Sequence, residues 1–446
     1  MASTRIYRTS GTPTSTKKFT LSFWLKKSAT GADQFVFNTT TDANNRSQVE
    51  FNTDDEINFI CKVSGSNIGR LRTTRKFRDT AAFYHIVAVL DTTELTSSNR
   101  MKLYVNGVQE TNFITETYPS QDADANVSGT HTIGSYYNGS SPSNYLDGLL
   151  THVHFTDGYA YQASTFGETD TTSGIWKPKT APSVTYGTNG FFLKFENSGA
   201  MGTDSSGNSN TFTPGGTLTQ NIDTPTNNFC TCNSLITDST NNRFSHGNTT
   251  YDNAGSYQSH AQGTLGMQSG KWYWEIKMNN THGQYGVCEN YVKQAEDPQG
   301  SAPYYFIYSN GSNGVVVYNN ATGSSPTTNS SWTNFASGQI IGVAYDADNG
   351  KLYFHNNGVY YNSGDPAAGT GEVISGITPR EGGIIVPLIA QGTGNGRIHN
   401  CNWGQGYFGT TAVSSANADD NGIGSFEYDV PAGYYALCTK NLKEFS

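Results

Sequence analysis

At 446 residues the chain is longer than one hydrophobic core serves, and a prior of about 150 residues per domain predicts two or three domains. Charged residues make up only 14%, beside 49 Gly and 13% aromatics, a turn-rich β profile that excludes a helical enzyme and a disordered chain. The net charge of −9 comes with no basic stripe, which argues against nucleic acid as a partner, and no run reaches the ~20 apolar residues of a membrane span.

In chain order, residues 1–18 are polar and rich in Ser and Thr, an arm or a loose first strand. The N-terminus has no apolar signal-peptide core, so synthesis and folding in a cytoplasm are expected. Residues 19–25 alternate, with Phe19, Leu21, Phe23 and Leu25 on one strand face. Strands at 34–37, 48–51, 57–63 and 86–91 follow at meander spacing, with turns at 42–45 and 52–55. Residues 101–108 place Asn106-Gly107 between apolar runs, a tight hairpin turn, and 132–136 and 145–155 continue the sheet. Arg70 to Arg78 form the one basic cluster, a solvated strand edge or loop.

Residues 162–166 suit one helical turn, Trp176 with Pro178 a closing flap, and 189–195 a last strand. Residues 214–227, with two Pro and two Gly, make the best linker. Beyond it, Trp272, Trp274, Ile276 and Met278 share a strand face, and strands follow at 285–287, 304–308 and 314–318. Residues 339–361 then hold two successive hairpins, turned at Asp348-Asn349-Gly350 and at Asn356-Asn357-Gly358. Of the six Cys, only Cys230 and Cys232 are close, with no second pair at metal spacing, so small buried thiols are expected.

The pieces at 19–25, 84–91, 102–108, 133–134 and 146–149 follow the order used by laminin-G-like domains, and residues 15–160 resemble that branch of the concanavalin-A-like jelly rolls. Residues 270–276, 341–346, 351–358, 386–388 and 402–408 together resemble a SPRY domain, with Trp403 where that family usually has Phe in its terminal Asn-Phe-Gly-Gln pattern. The run 155–235 is similar to segments of structural proteins of marine bacteriophages. The expected architecture is all-β: two antiparallel β-sandwiches, a jelly roll over 1–213, a linker at 214–227 and a SPRY-like sandwich over 228–446.

Glycan hydrolases also use concanavalin-A-like folds, and a retaining one needs two carboxyl groups about 5–5.5 Å apart. The nearest acids, Asp54-Asp55-Glu56 and Glu427 with Asp429, do not continue to a third acid at the right offset, so no catalytic residue is expected. Asp122, Asp124 and Asn126 place oxygens at positions 1, 3 and 5 of a Ca²⁺ loop. Val127 stands where Gly belongs and Ile133 where a bidentate Glu belongs, so an ion site and a solvated loop both stay open. Laminin-G-like relatives often bind Ca²⁺ at one rim, which adds Asp147 as a ligand candidate.

Sugar recognition wants flat aromatic faces beside Asn, Asp and Gly in exposed loops. Tyr136, Tyr137, Asn138, Tyr145, Tyr159, Tyr161, Tyr285 and Tyr291 sit in such loops. In SPRY relatives one end of the sandwich holds the partner-binding loops, which here implies 282–303 and Trp332. Rim aromatics covering sheet ends would produce the same composition. The reading that results is a non-catalytic virion surface protein, a fibre, spike or capsid-decoration subunit. Its expected partners are other virion proteins, host cell-surface polysaccharide and copies of itself in a homo-oligomer. Its localisation would be the virion, and the runner-up functions are a glycan depolymerase and a secreted adhesin.

Overall fold

The computed structural model describes residues 3–236, 242–253, 259–290, 303–309, 311–312, 314–319, 326–380, 383–391 and 396–446. They are almost entirely β, with one α-helix, Thr439–Phe445, and short 3₁₀ turns. Two compact units divide the chain: Met1–Gln220 with Thr224–Thr226, and Asn221–Asp223 with Asn227–Ser446.

The first unit stacks two antiparallel sheets. One has eight strands, in spatial order Phe113–Thr117, Ser66–Lys76, Glu56–Val63, Asn45–Phe51, Gln34–Asp42, Thr130–Ile133, Arg5–Thr9 and Thr213–Gly215. The other has six: Phe191–Leu193, Gly148–Asp157, Lys18–Lys27, Tyr84–Asp91, Met101–Val105 and Val108–Gln109. Between them lies an apolar core that takes Phe19, Leu21, Phe23 and Leu25 from one sheet and Phe37, Val49, Phe51, Ile57, Phe59 and Leu71 from the other. The alternation in residues 19–25 is thus the face that buries, and side chains one residue off it point outward. The N-terminal arm is a strand, because Arg5–Thr9 pairs with Thr130–Ile133 on one side and Thr213–Gly215 on the other. Pro214 and Gly215, expected in a linker, therefore close this sheet.

The basic cluster is neither at an edge nor simply solvated. Its strand lies between Glu56–Val63 and Phe113–Thr117, and Arg72 pairs with Glu56 (2.6 Å) and Asp54 (2.8 Å), Arg75 with Glu110 (2.8 Å) and Arg78 with Asp55 (3.1 Å). These partners also take up the first set of acids considered for catalysis. A hairpin of Gly167–Thr169 and Trp176–Pro178 forms the flap, with Trp176 Nε1 donating to His85 Nδ1 at 3.0 Å.

The second unit repeats the two-sheet plan. One sheet runs Asn242–Ser245, Thr250–Asn253, Arg397–Asn402, Lys271–Met278, Ile340–Asp346, Lys351–Asn356 and Val359–Tyr360, with Tyr435–Ala436 pairing Lys271–Met278 in parallel. The other runs Ser259–Gln262, Ile385–Gln391, Gly283–Glu289, Tyr304–Ser309, Val315–Asn319 and Thr327–Asn329. Trp272, Trp274, Ile276 and Met278 all lie in the core, where Trp274 stacks on Trp403 with ring centroids 5.8 Å apart. Asn106-Gly107 (φ 48° and 84°) and Asn357-Gly358 (φ 49° and 82°) adopt the paired positive φ of the tight hairpin turn. At 348–350 only Gly350 is positive (φ 61°), and the Asp346 carboxylate accepts the Asn349 N–H at 3.0 Å instead.

All six cysteines are buried free thiols. A reductant such as dithiothreitol is therefore expected to leave the melting temperature unchanged, whereas breaking a native disulfide would cost about 2–5 kcal/mol. A clear drop in a thermal scan would contradict this and favour a disulfide-held adhesin.

Candidate functional site

The outward face of the eight-stranded sheet is where the first unit gathers its binding chemistry. Cross-strand register fixes one row as Tyr7, Thr132, Asn38, Gln48, Ile60 and Arg70, and a neighbouring row as Phe35, Glu50, Asn58 and Arg72. These residues alternate with the core set, which puts them on the opposite side of the pleat. The short hairpin of Tyr136–Tyr137 and Pro142–Ser143 folds against this face. Tyr136 packs on Phe35 (centroids 4.7 Å apart) and lies under the Arg46 guanidinium at 5.5 Å. The Arg5 guanidinium sits 4.5 Å from the Tyr7 ring and 5.3 Å from that of Tyr137. Asn38 Nδ2 donates to the Tyr137 carbonyl at 2.9 Å, tying hairpin to sheet.

A polar chain crosses the same face. Arg46 Nε donates to Gln48 Oε1 at 2.6 Å, and Gln48 Nε2 donates to Glu50 Oε2 at 2.8 Å. Burial, helped by the nearby Asp33 charge, pushes the Glu50 carboxyl up to about 7. Arg70 offers Nε and Nη2 to Asn58 Oδ1 at 3.2 and 3.0 Å. Four side-chain atoms near the hairpin are buried without a partner: Arg5 Nη1, Asn38 Oδ1, Thr132 Oγ1 and Ser135 Oγ. Buried polar groups are normally paired, with protein or with ordered water, so such a cluster marks a place where water or ligand hydroxyls complete the bonding. Half-buried tyrosine faces beside amides and guanidinium groups suit the apolar ring faces and hydroxyl rows of a sugar.

Of the sequence-predicted residues, Tyr136, Tyr137 and Asn138 belong to this site. Asn138 braces the hairpin turn by accepting the Ser140 and Ser141 N–H groups, each at 2.9 Å. Tyr145 is half-buried just beyond the hairpin. Tyr159 and Tyr161 stack on each other at 6.3 Å on the flap side of the six-stranded sheet, a separate place, where the Tyr161 hydroxyl accepts the Thr185 N–H at 2.9 Å. Trp332 stacks on Tyr361 at 5.0 Å in the second unit. Tyr291 lies outside the described residues, as do positions 292–302 of the loop expected to bind partners.

Tyr285 is a correction. It is wholly buried, because Gly283–Glu289 is a continuous inner strand rather than a loop, and its hydroxyl lies 2.8 Å from His399 Nδ1. The three Ca²⁺-loop side chains take separate partners: Asp122 pairs with Lys17 (3.2 Å), Asp124 with the Thr16 hydroxyl, and the Asn126 amide donates to the Ser128 carbonyl (3.2 Å). Among the described residues no three His, Cys, Asp or Glu side chains are placed to share a metal ion. Asp147 is pushed upward by burial.

The second unit holds a carboxyl that sequence reasoning missed. Burial pushes Glu275 up to about 7, against four donors: the Glu427 and Tyr428 N–H groups (2.9 and 2.8 Å), Tyr273 OH (3.0 Å) and Asn402 Nδ2 (3.3 Å). Gly358 N–H donates to His355 Nδ1 at 3.1 Å, which leaves the imidazole proton on Nε2, 2.7 Å from Tyr273 Oη. The Tyr273 hydroxyl therefore accepts from His355 and donates to Glu275. Glu275 is wholly buried and its oxygens are met by those four protein donors, so the network braces the core. Glu427, the other acid considered for catalysis, accepts the Ser414 N–H at 2.7 Å. The Asn402–Gln405 segment is likewise internal: Asn402 Oδ1 accepts the Gly404 and Gly406 N–H groups at 3.0 Å, and Gln405 Nε2 donates to the Cys230 carbonyl at 2.8 Å. Among the described residues no helix is long and apolar enough to cross a membrane.

Residues 3–164 match the family model described as the concanavalin A-like lectin/glucanases superfamily, and residues 271–364 match the SPRY domain. Solved structures similar to the chain include the TRIM65 PSpry domain (13% identity, 39% of this chain and 91% of that one, TM-score 0.29). Two others are the SPRY domain of human HERC1 (14%, 34% and 86%, TM-score 0.27) and a native heptameric SAP-like pentraxin from Limulus polyphemus (16%, 40% and 86%, TM-score 0.29). No curated protein matches the chain. The chain carries a concanavalin-A-like domain followed by a SPRY domain, two modules of the kind used for binding and adhesion.

Proposed function

We propose that the protein is a non-catalytic glycan-binding protein displayed on the outside of a virus particle, as a fibre, spike or capsid-decoration subunit. The observation that carries the binding half is the Tyr136–Tyr137 hairpin over the outward sheet face, with its tyrosine rings, two arginines and unpartnered buried oxygens. Of the acids considered for catalysis, Asp54, Asp55 and Glu56 are engaged in ion pairs and Glu427 accepts the Ser414 N–H. The virion half comes from the likeness of residues 155–235 to phage structural proteins. Its partners there are neighbouring virion proteins and copies of the same chain.

The test is a polysaccharide panel with the length of each polymer measured before and after incubation. Binding without shortening is expected, and Tyr137→Ala, which removes one sugar platform, should weaken it about tenfold. Shortened oligosaccharides would replace this reading with a depolymerase.

A further inference from the structure

We propose that the Arg5 corner of this face takes the carboxylate of an acidic sugar, so that the preferred ligand is a uronate-containing polysaccharide. This deepens the glycan-binding reading and rests on it. Arg5 carries a permanent charge, yet among the described residues no carboxylate pairs with it, in contrast to Arg72, Arg75 and Arg78 on the same sheet. Its Nη1 is out of solvent and has no hydrogen-bond acceptor. Desolvating a guanidinium between two neutral rings without an anion is unfavourable, and a planar carboxylate is the group its fork of N–H donors fits best.

The surroundings supply the rest of a uronate. Tyr7 and Tyr137 flank the guanidinium at 4.5 and 5.3 Å and hold it in place by cation–π contact. Asn38 and Thr132 are direct cross-strand neighbours, each wholly buried. The Asn38 amide nitrogen is committed to the Tyr137 carbonyl, so its free Oδ1 accepts from a sugar hydroxyl, and the Thr132 hydroxyl serves as donor or acceptor. Gly215, opposite Arg5, lets the arginine pack closely on the sheet: a Cβ there would come within 3.2 Å of Arg5 Cγ. Glu50, on the same face, is pushed toward the neutral acid by burial and so repels an anion less than an ordinary carboxylate would. With a net charge of −9 the chain exerts no long-range pull on a polyanion, so the acid is recognised at one point rather than along the polymer.

The experiment compares full-length protein on polygalacturonate and alginate oligosaccharides with their methyl esters, which keep the rings and remove the charge, and on neutral glucans. The free acids are expected to bind about 10- to 100-fold tighter than the esters, the worth of a charge-assisted hydrogen bond. Arg5→Gln should abolish the preference, so that acid and ester bind alike, and Arg5→Lys should fall between. Equal affinity for acid and ester in the unaltered protein overturns the uronate inference while leaving neutral-glycan binding intact. Binding of no sugar in the panel overturns both. That comparison stands on the unaltered protein, so it decides the matter even if Arg5→Gln fails to fold.

Discussion

Lowering the pH from 7 toward 4 is expected to unfold the first sandwich, with the loss beginning below about 6.5, the ordinary histidine value. Burial holds His85 down to about 3, His131 to about 4 and His154 well below its ordinary value. The hydrogen bonds agree with that direction. Trp176 N–H already occupies His85 Nδ1, while Ser22 lies 2.9 Å from Nε2, so a second ring proton would meet a donor head-on. His131 Nε2 reaches the Val127 carbonyl at 3.1 Å, and its Nδ1 is buried without an acceptor. The native state thus binds fewer protons than the unfolded chain below pH 6.5, and each such histidine removes about 1.4 kcal/mol per pH unit. Glu50 acts in the opposite sense, since its raised carboxyl stabilises the fold as pH falls from about 7 to its ordinary value. His152 is lowered by burial as well, and Asp147 joins Glu50 on the opposing side, so four histidines against two acids leave a net loss of several kcal/mol, comparable to a domain's whole stability of about 5–15 kcal/mol. The second sandwich sets His355 and His399, each held near 3, against Glu275, and should resist acid longer. Near-UV circular dichroism along a pH titration checks this, and native signal persisting in full at pH 3.5 would contradict it.

Replacing Asp55 by Asn is expected to cost the first sandwich about 3–5 kcal/mol, because it strands a buried lysine. Lys27 Nζ lies 3.0 Å from Asp55 Oδ1, with the side chains 0% and 2% exposed, and 4.4 Å from the centre of the Phe51 ring. Asp55 also accepts from the Gly31 N–H (2.9 Å) and Arg78 Nε (3.1 Å). Burial alone would raise its carboxyl; the Gly31 N–H, Lys27 and Arg78 outweigh that and hold it below its ordinary value. Asn tolerates the positive φ of 64° at this position, so the substitution isolates the charge. Adding Lys27→Met should recover most of the loss, since a buried pair exchanged for apolar groups is often neutral. Chemical denaturation of the single and double variants measures both steps. A single variant as stable as the parent would show that Lys27 is solvated after all.

Much of the fold was legible because its code is local. Alternation in 19–25 and 271–278 names the buried face directly, and the Asn-Gly pairs name two of the hairpin turns. The binding face was legible only in part. Tyr136, Tyr137 and Asn138 announced themselves as an aromatic loop, but Arg5, Tyr7, Asn38 and Gln48 sit on the off-face of strands, where polar residues ordinarily mean solvent. What makes them a site is a hairpin about 100 residues downstream folding over them, and strand alternation is blind to such a partner. A signal did exist, in that the off-face positions of adjacent strands carry amides and arginines together. Tyr285 went astray for the converse reason. Residues 284–291 match the aromatic, Asn-containing composition of a binding loop while 285–287 also read as a strand, and the strand is what forms: a Cβ on Gly286 would come within 2.0 Å of the Tyr305 carbonyl oxygen. The neutral histidines were invisible too, since burial by distant strands sets their state.

The most direct test of the account is amide hydrogen exchange of the full chain with and without a saturating polysaccharide chosen from the panel. Ligand should slow exchange in residues 35–50 and 130–145, around the hairpin and the strands beneath it, with the polymer recovered at its original length. Protection confined to the second sandwich, or oligosaccharide fragments in the supernatant, would contradict it.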